Sequence, residues 1–182
     1  MENFIRKYDN FLSPEFCDTL VKKFEENAQF HQKLAKGLMS LTAMEILLHP
    51  QIFNSEIPHL VEKFQEFIKI YKSEINIEAV QWPQKYSFES FRIKKYEPDG
   101  TDQFGNHVDA KNIETCRRFL AFFCYLTDNE SGATIFPHCG VSSECKKGNL
   151  LIFPPLWPWI HSGQMPIKKP KLILGSYLKF EE

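Results

Sequence analysis

The sequence predicts an α+β fold, a sandwich or jelly roll of short strands with helices packed on one face. Three observations carry that expectation. Apolar residues in the first half recur at helical spacing, those after Phe88 fall in short or alternating runs, and turn-forming pieces separate the runs.

In chain order, Phe4 to Tyr8 can pair as an edge strand. Ser13-Pro14 then supplies an N-cap followed by proline at the first helical position, where the missing N–H costs nothing. A helix over 14–28 follows, striped by Phe16, Leu20, Val21 and Phe24. A second helix begins after Ser55, with Leu60, Val61, Phe64, Phe67, Ile68 and Tyr71 on one face. Between them, 31–50 stays open, because Leu38 to Leu48 suits helix or strand equally. Strands are expected around Phe88, Phe91 and Ile93, at Phe119 to Leu126, at Leu150 to Phe153 and at Leu172 to Leu178. Pro98-Asp99-Gly100, Asp128 to Gly132 and Lys146 to Asn149 are the turns between them. No repeat or Pro/Gly/Ser linker divides the chain, so one domain over 1–182 is expected, with 1–87 a mainly helical support region and 88–182 the strand-built core.

The chain has 182 residues with 22 Lys+Arg and 23 Asp+Glu, a formal net charge of −1. At this length roughly 70% of the unfolded surface can be buried. A 43% hydrophobic, 25% charged composition excludes a disordered chain, and the charge balance weighs against holding nucleic acid by phosphate neutralisation. The longest apolar run, Phe119 to Leu126, is far short of the ~18 residues of a membrane span. The opening Met1-Glu2-Asn3-Phe4 meets charged residues before any apolar segment, so no secretory signal is expected and the cytoplasm is the expected location. Five cysteines, odd in number and without CxxC spacing, suit reduced thiols, and Cys124 reads as core.

His107-Val108-Asp109 is the most informative tripeptide. In a strand, residues i and i+2 share a face, so an imidazole and a carboxylate here can converge on one metal ion, at a strand start beside an opening. Alone, such a pair also reads as a surface hydrogen bond. His161 adds a third ligand between two expected strands, and two His plus one carboxylate is the set with which non-haem iron oxygenases leave coordination positions open. Lys171, at the start of an alternating segment, could serve such a site or simply be solvated edge protection like Lys168 and Lys169. His138, Cys139 and Cys145 fit no common zinc spacing and read as a surface loop, and His31, His49 and His59 carry no motif.

Taken together, these pieces resemble the prolyl 4-hydroxylase type of Fe(II)/2-oxoglutarate-dependent dioxygenases over about Phe91 to Phe180. Tyr96, Gly100 and Phe104 precede His107 and Asp109; Tyr125-Leu126 ends a strand; Gly132-Ala133-Thr134 and Phe136-Pro137 follow. Lys147-Gly148 leads into Leu150 to Phe153, and His161-Ser162-Gly163 with Lys171 ten positions later closes the pattern. The chain departs from the family in a longer loop after Tyr96, in Ser131-Gly132 for Gly-Gly, in the insert Pro154 to Trp159, and in Tyr177 where relatives often have Trp.

The resemblance implies a double-stranded β-helix (jelly roll) core with the N-terminal helices packed on one sheet. It implies His107, Asp109 and His161 as Fe(II) ligands and Lys171 as the partner of the far 2-oxoglutarate carboxylate, with Tyr96, Tyr125 and Thr134 near the cosubstrate. Fe(II) with one carboxylate, 2-oxoglutarate and Lys171 sum to zero charge, which a buried site favours. The implied reaction consumes O2 and 2-oxoglutarate, releases succinate and CO2 and hydroxylates a C–H bond, with ascorbate as a possible reductant. The intact Asp109 leaves no ligand position for halide, so hydroxylation is expected over halogenation. The implied substrate is a prolyl residue in a peptide or protein, for which Trp157, Trp159 and Tyr177 could line a groove, or could be ordinary packing. Free proline or another small metabolite, and a non-catalytic jelly-roll binding module, are the alternatives. Oligomeric state is not encoded in any motif.

Overall fold

Alternation along four strands decides the architecture. In the structure, a computed structural model that describes residues 2–37 and 39–182, strands β5 (Arg92–Tyr96), β7 (Arg118–Tyr125), β10 (Leu150–Phe153) and β12 (Lys171–Phe180) each present two faces. Leu120, Phe122 and Cys124 of β7, Leu150 and Ile152 of β10, and Leu172, Leu174 and Leu178 of β12 join one cluster. The residues between them, including Ala121, Phe123, Tyr125, Leu151, Phe153, Ile173 and Tyr177, enter two other clusters. Period two thus sends one set outward and the other into the barrel.

The outward cluster includes side chains of two helices. Helix α1 (Pro14–Glu25) is capped by Ser13, whose Oγ accepts the Phe16 N–H at 3.2 Å, and buries Cys17, Leu20 and Phe24. Helix α2 (Glu56–Glu74) buries Leu60, Phe64, Ile68 and Tyr71, and the Phe64 ring lies 5.4 Å from that of Phe91 and 5.3 Å from that of Phe122. Each fully buried Leu or Phe contributes ~1.5–3 kcal/mol. Lys23 of α1 reaches Glu56 of α2 at 2.7 Å, so the one buried acid of α2 has a partner. The first helix stops at Glu25, short of the expected 28, because residues 28–30 turn into a short 3-10 helix.

The remaining strands are β1 (Arg6–Tyr8), β2 (Gln32–Lys36), β3 (Met39–Glu45), β4 (Tyr86–Phe88), β6 (Gln103–His107), β8 (Thr134–Phe136), β9 (Val141–Ser143) and β11 (His161–Gly163). They build a nearly closed antiparallel barrel with the order β1-β10-β7-β12-β5-β3-β6-β11-β8-β9, the arrangement of a jelly-roll core. The segment 31–50, open between helix and strand, forms the β2–β3 hairpin, and β3 sits between β5 and β6. Leu38, within that segment, and Met1, within the N-terminal opening, lie outside the described residues. Among the described residues no helix is long and apolar enough to cross a membrane.

The hairpin is tied to the site through one buried acid. Asp102, without exposed surface, accepts from Lys33 Nζ at 2.6 Å, Ser40 Oγ at 2.6 Å and the Glu97 N–H at 3.1 Å. It therefore fixes the loop that feeds β6. Burial works to raise its pKa, but the three donors outweigh burial and hold the carboxyl below its ordinary value. Asp102→Asn is expected to lose about 1–3 kcal/mol at pH 7, read from urea unfolding. Because the folded pKa lies below the unfolded one, this contribution is complete above the unfolded value and fades as pH falls through the folded value. The gap between wild type and variant should therefore narrow below about pH 4.

Candidate active site

Three elements bring His107, Asp109 and His161 together. His107 ends β6 and pairs in register with His161, the first residue of β11, and their ring centroids are 4.3 Å apart. Asp109 lies beyond the strand, a correction to the expectation that both residues of His-x-Asp sit in one strand, at its start. The cause is local. The N–H groups of Asp109 and Ala110 both donate to the Pro155 carbonyl, at 3.2 and 3.1 Å, drawing the chain out of the β6–β11 ladder. The carboxylate still faces both rings: Oδ1 is 3.5 Å from His107 Nε2 and Oδ2 is 3.4 Å from His161 Nε2.

The hydrogen bonds around these residues leave their facing atoms bare. The Nδ1 of His107 lies 2.8 Å from the Gly105 carbonyl and that of His161 lies 3.1 Å from the Trp159 carbonyl. A carbonyl only accepts, so each ring carries its proton on Nδ1 and presents a lone pair at Nε2. Tyr177 donates its hydroxyl to Asp109 Oδ1 at 2.8 Å, leaving Oδ2 free. His107 Nε2, His161 Nε2 and Asp109 Oδ2 are thus buried acceptors with no hydrogen-bond partner. Ligand atoms of the three residues all lie within 4.8 Å of one another. Converging buried acceptors without a proton between them are what a divalent cation satisfies, and two imidazoles with one carboxylate match the non-haem iron donor set.

Electrostatics agree with that protonation. Burial disfavours charge on His107 and lowers its pKa, although Asp109 pulls the other way. For Asp109 burial raises the pKa, but the two imidazoles overcome it and keep the carboxyl well below the usual range. The rings are held by aromatic neighbours: Phe104 stacks on His107 at 3.5 Å between centroids, and Phe153 meets His161 edge-on at 4.7 Å.

Lys171 opens β12, and its side chain turns inward rather than into solvent. It is 2% exposed, and its ammonium donates to the Gly132 and Gln164 carbonyls at 3.1 and 2.9 Å and lies 4.4 Å from the Tyr96 ring centre. Burial lowers its pKa to about 8, which leaves it mostly charged at neutral pH. Lys168 and Lys169 are exposed, so of the three lysines only Lys171 shares a cavity with the histidines. Gly132 makes this possible: its φ is +77°, and a Cβ there would lie 2.9 Å from Lys171 Cδ.

The other expected site residues divide into two groups. Tyr96 and Thr134 line the cavity that holds His107, His161 and Lys171. Tyr125 stands behind it, its hydroxyl 2.8 Å from Thr134 Oγ1 and 3.0 Å from the Ser143 carbonyl. Tyr177 holds Asp109. Trp157 is 82% exposed, and Trp159 packs edge-on against Phe4 at 5.8 Å; neither lines that cavity. The segment Pro154 to Trp159 instead meets the site through backbone, by the Pro155 carbonyl on the Asp109 N–H and the Trp159 carbonyl on the His161 ring. His138 and Cys139 join no metal-ligating cluster among the described residues. His31 and His49 stack on Phe24 and Phe30, and His59 packs at a tilt against Phe16.

Two contributors had no motif. Arg118 holds Glu89 through two hydrogen bonds of 2.8 Å, lies 4.1 Å from the Tyr177 ring centre and reaches the Asp109 carbonyl at 3.3 Å. Lys94, inward-facing on β5, lines the same cavity as the histidines. Removing the Tyr177 hydroxyl should loosen Asp109: Tyr177→Phe is expected to lower Mn(II) affinity about 10–100-fold by calorimetry, and Asp109→Ala to abolish binding. Unchanged affinity in Tyr177→Phe would take that hydroxyl out of the ligand's support.

No protein-family model and no curated protein matches the sequence. Solved structures do. The viral collagen prolyl hydroxylase of Paramecium bursaria Chlorella virus-1, solved with 2OG, superposes with a TM-score of 0.70 at 20% identity, covering 98% of this chain and 97% of that one. A Pseudomonas putida prolyl-4-hydroxylase gives 0.70 at 14% identity over 98% and 94%. A Trichoplax adhaerens prolyl hydroxylase, in complex with a peptide fragment of the hypoxia inducible factor oxygen degradation domain, gives 0.70 at 12% over 97% and 84%. Over nearly its whole length, the chain has the fold of these prolyl hydroxylase structures.

Proposed function

We propose that this protein is an Fe(II)- and 2-oxoglutarate-dependent dioxygenase that hydroxylates a C–H bond of a prolyl residue in a peptide or protein. The observation that carries the reading is the convergence of His107 Nε2, His161 Nε2 and Asp109 Oδ2, all buried and without partners, where both histidines line one cavity with the buried Lys171. When bound, Fe(II) with 2-oxoglutarate and O2 supplies the oxidising chemistry, releasing succinate and CO2, and ascorbate would keep the iron reduced.

The chain's own residues bind, orient and exclude water. His107, Asp109 and His161 hold the metal, with their orientations set by the Gly105, Trp159 and Tyr177 contacts. Lys171 receives the far carboxylate of 2-oxoglutarate, and Thr134 and Tyr96 flank it. Tyr125 fixes the Thr134 hydroxyl from behind. Phe104 and Phe123 wall the cavity and keep water from the reacting centre. The structural neighbours support the reading at the level of their own contents: one was solved with 2OG and another with a peptide fragment. For a peptide substrate, the exposed Trp157 ring is a surface on which a proline-containing segment could stack.

Succinate formation from 2-oxoglutarate under Fe(II), ascorbate and O2 tests the assignment without knowledge of the substrate. Asp109→Ala is expected to abolish it, and equal turnover in that variant would falsify the metal centre. Lys171→Met should raise the 2-oxoglutarate concentration needed for half-maximal rate on the order of a hundredfold, since breaking a buried charge pair costs about 2–5 kcal/mol. Lys169→Ala, at an exposed position, should leave it unchanged.

A further inference from the structure

A second buried lysine lies in the same cavity and has no role in the chemistry above. Lys94 is central in β5, between the inward-facing Arg92 and Tyr96, and is 7% exposed. Its ammonium lies 5.1 Å from the Phe123 ring centre and makes no hydrogen bond or ion pair among the described residues. The neighbouring ions are already matched: Arg92 with Glu45, Arg118 with Glu89, and Lys179 with Glu181. Asp109 and Glu89 attract Lys94 only from a distance: Glu89 is paired with Arg118, and Asp109 Oδ2 faces the His161 ring. Burial lowers its pKa to about 8, so the ammonium form still predominates at neutral pH. An ammonium this buried is costly to leave unpaired, and among the described residues no carboxylate forms an ion pair with it.

Its position says where an anion would come from. Lys94 is the residue shared by two adjoining cavities: the one that holds the histidines and Lys171, and a second of about 220 Å³ that includes Arg92, Glu89, Gly175 and Tyr177. Gly175 of the second cavity packs directly on Phe123 of the first, where a Cβ would meet the ring at 3.1 Å. Charge points the same way. A divalent ion with Asp109 leaves one positive charge, which together with Lys171 balances the two carboxylates of 2-oxoglutarate. Lys94 is then one cation in surplus, beside the metal ligands.

We propose that Lys94 binds a carboxylate of the substrate to be hydroxylated, which enters through the second cavity. The inference rests on the Fe(II)/2-oxoglutarate reading and sharpens its substrate class. The hydroxylated residue bears its own free carboxylate, as an amino acid or a chain end does, or stands beside an acidic side chain. A neutral internal prolyl segment would leave Lys94 unpaired.

Equilibrium binding separates these. Protein loaded with Mn(II) and 2-oxoglutarate, which does not turn over, is titrated by calorimetry with L-proline and L-prolinamide. Acetyl-Gly-Pro and its amide form a second pair, and blocked peptides with internal Pro-Glu and Pro-Gln a third. In at least one pair the carboxylate form should bind tenfold or more tightly than the neutral one, and that pair names the source. Lys94→Met should erase the difference while leaving the 2-oxoglutarate affinity within about twofold; Lys94→Arg should restore part of it. Equal or absent binding of both members of every pair overturns the proposal, as does loss of 2-oxoglutarate affinity in Lys94→Met, which would make Lys94 a cosubstrate ligand. Either result, with succinate formation intact in wild type, leaves the iron-centre reading standing; failure of wild type to bind 2-oxoglutarate would instead overturn that reading.

Discussion

Three acceptor atoms face one another in this protein with no proton between them. The chain has spent its available donors elsewhere: each imidazole proton is turned away to a backbone carbonyl, and the Tyr177 hydroxyl is given to Asp109 Oδ1, leaving Oδ2 without a donor. Left alone, such a cluster is an electrostatic liability in a low-dielectric interior. The surroundings hold it together nonetheless, through Phe104 and Phe153 on the rings, Arg118 and Glu89 behind Tyr177, and the Pro155 carbonyl on the Asp109 backbone. A centre preorganised at this cost has its stabilising partner in a cation that the chain itself does not provide.

Much of the fold was legible because alternation is a direct property of the strand. Phe119 to Leu126 read as a buried strand, and the structure divides it residue by residue between the two sides of the barrel. The helices were legible from their stripes and from the Ser13-Pro14 start. The segment 31–50 was not. Most of β2 is exposed, so no buried face imposes a period on Gln32 to Lys36, and β3 takes its order from β5 and β6, which lie far off in sequence.

The site was legible in its side chains and silent in its backbone. His107, Asp109 and His161 stood out as a candidate ligand set and the family resemblance pointed to Lys171, yet the strand expected to carry the first pair ends at His107. What replaces it is a carbonyl of Pro155, and no residue type announces a carbonyl. Lys94 and Lys171 illustrate a second limit. A lysine in a strand, whether at its start like Lys171 or at its centre like Lys94, is ordinarily solvated, and only the closing of the barrel turns these two inward. The same chemistry that makes lysine a good surface residue makes a buried one informative.

The short turn around Trp157 has a mechanical consequence. Pro155 and Trp159 sit on one six-residue excursion, and through their carbonyls they hold the backbone of Asp109 and the ring of His161. Two of the three converging residues, Asp109 and His161, therefore take part of their orientation from the same excursion, although His161 is itself paired with β6. A tilt of the turn would act on the Asp109 backbone and the His161 ring at once, and the pairing of His161 with His107 in the sheet would resist it. The exposed indole of Trp157 stands on that same excursion, so a contact made there at the surface bears on Asp109 and His161 through the backbone.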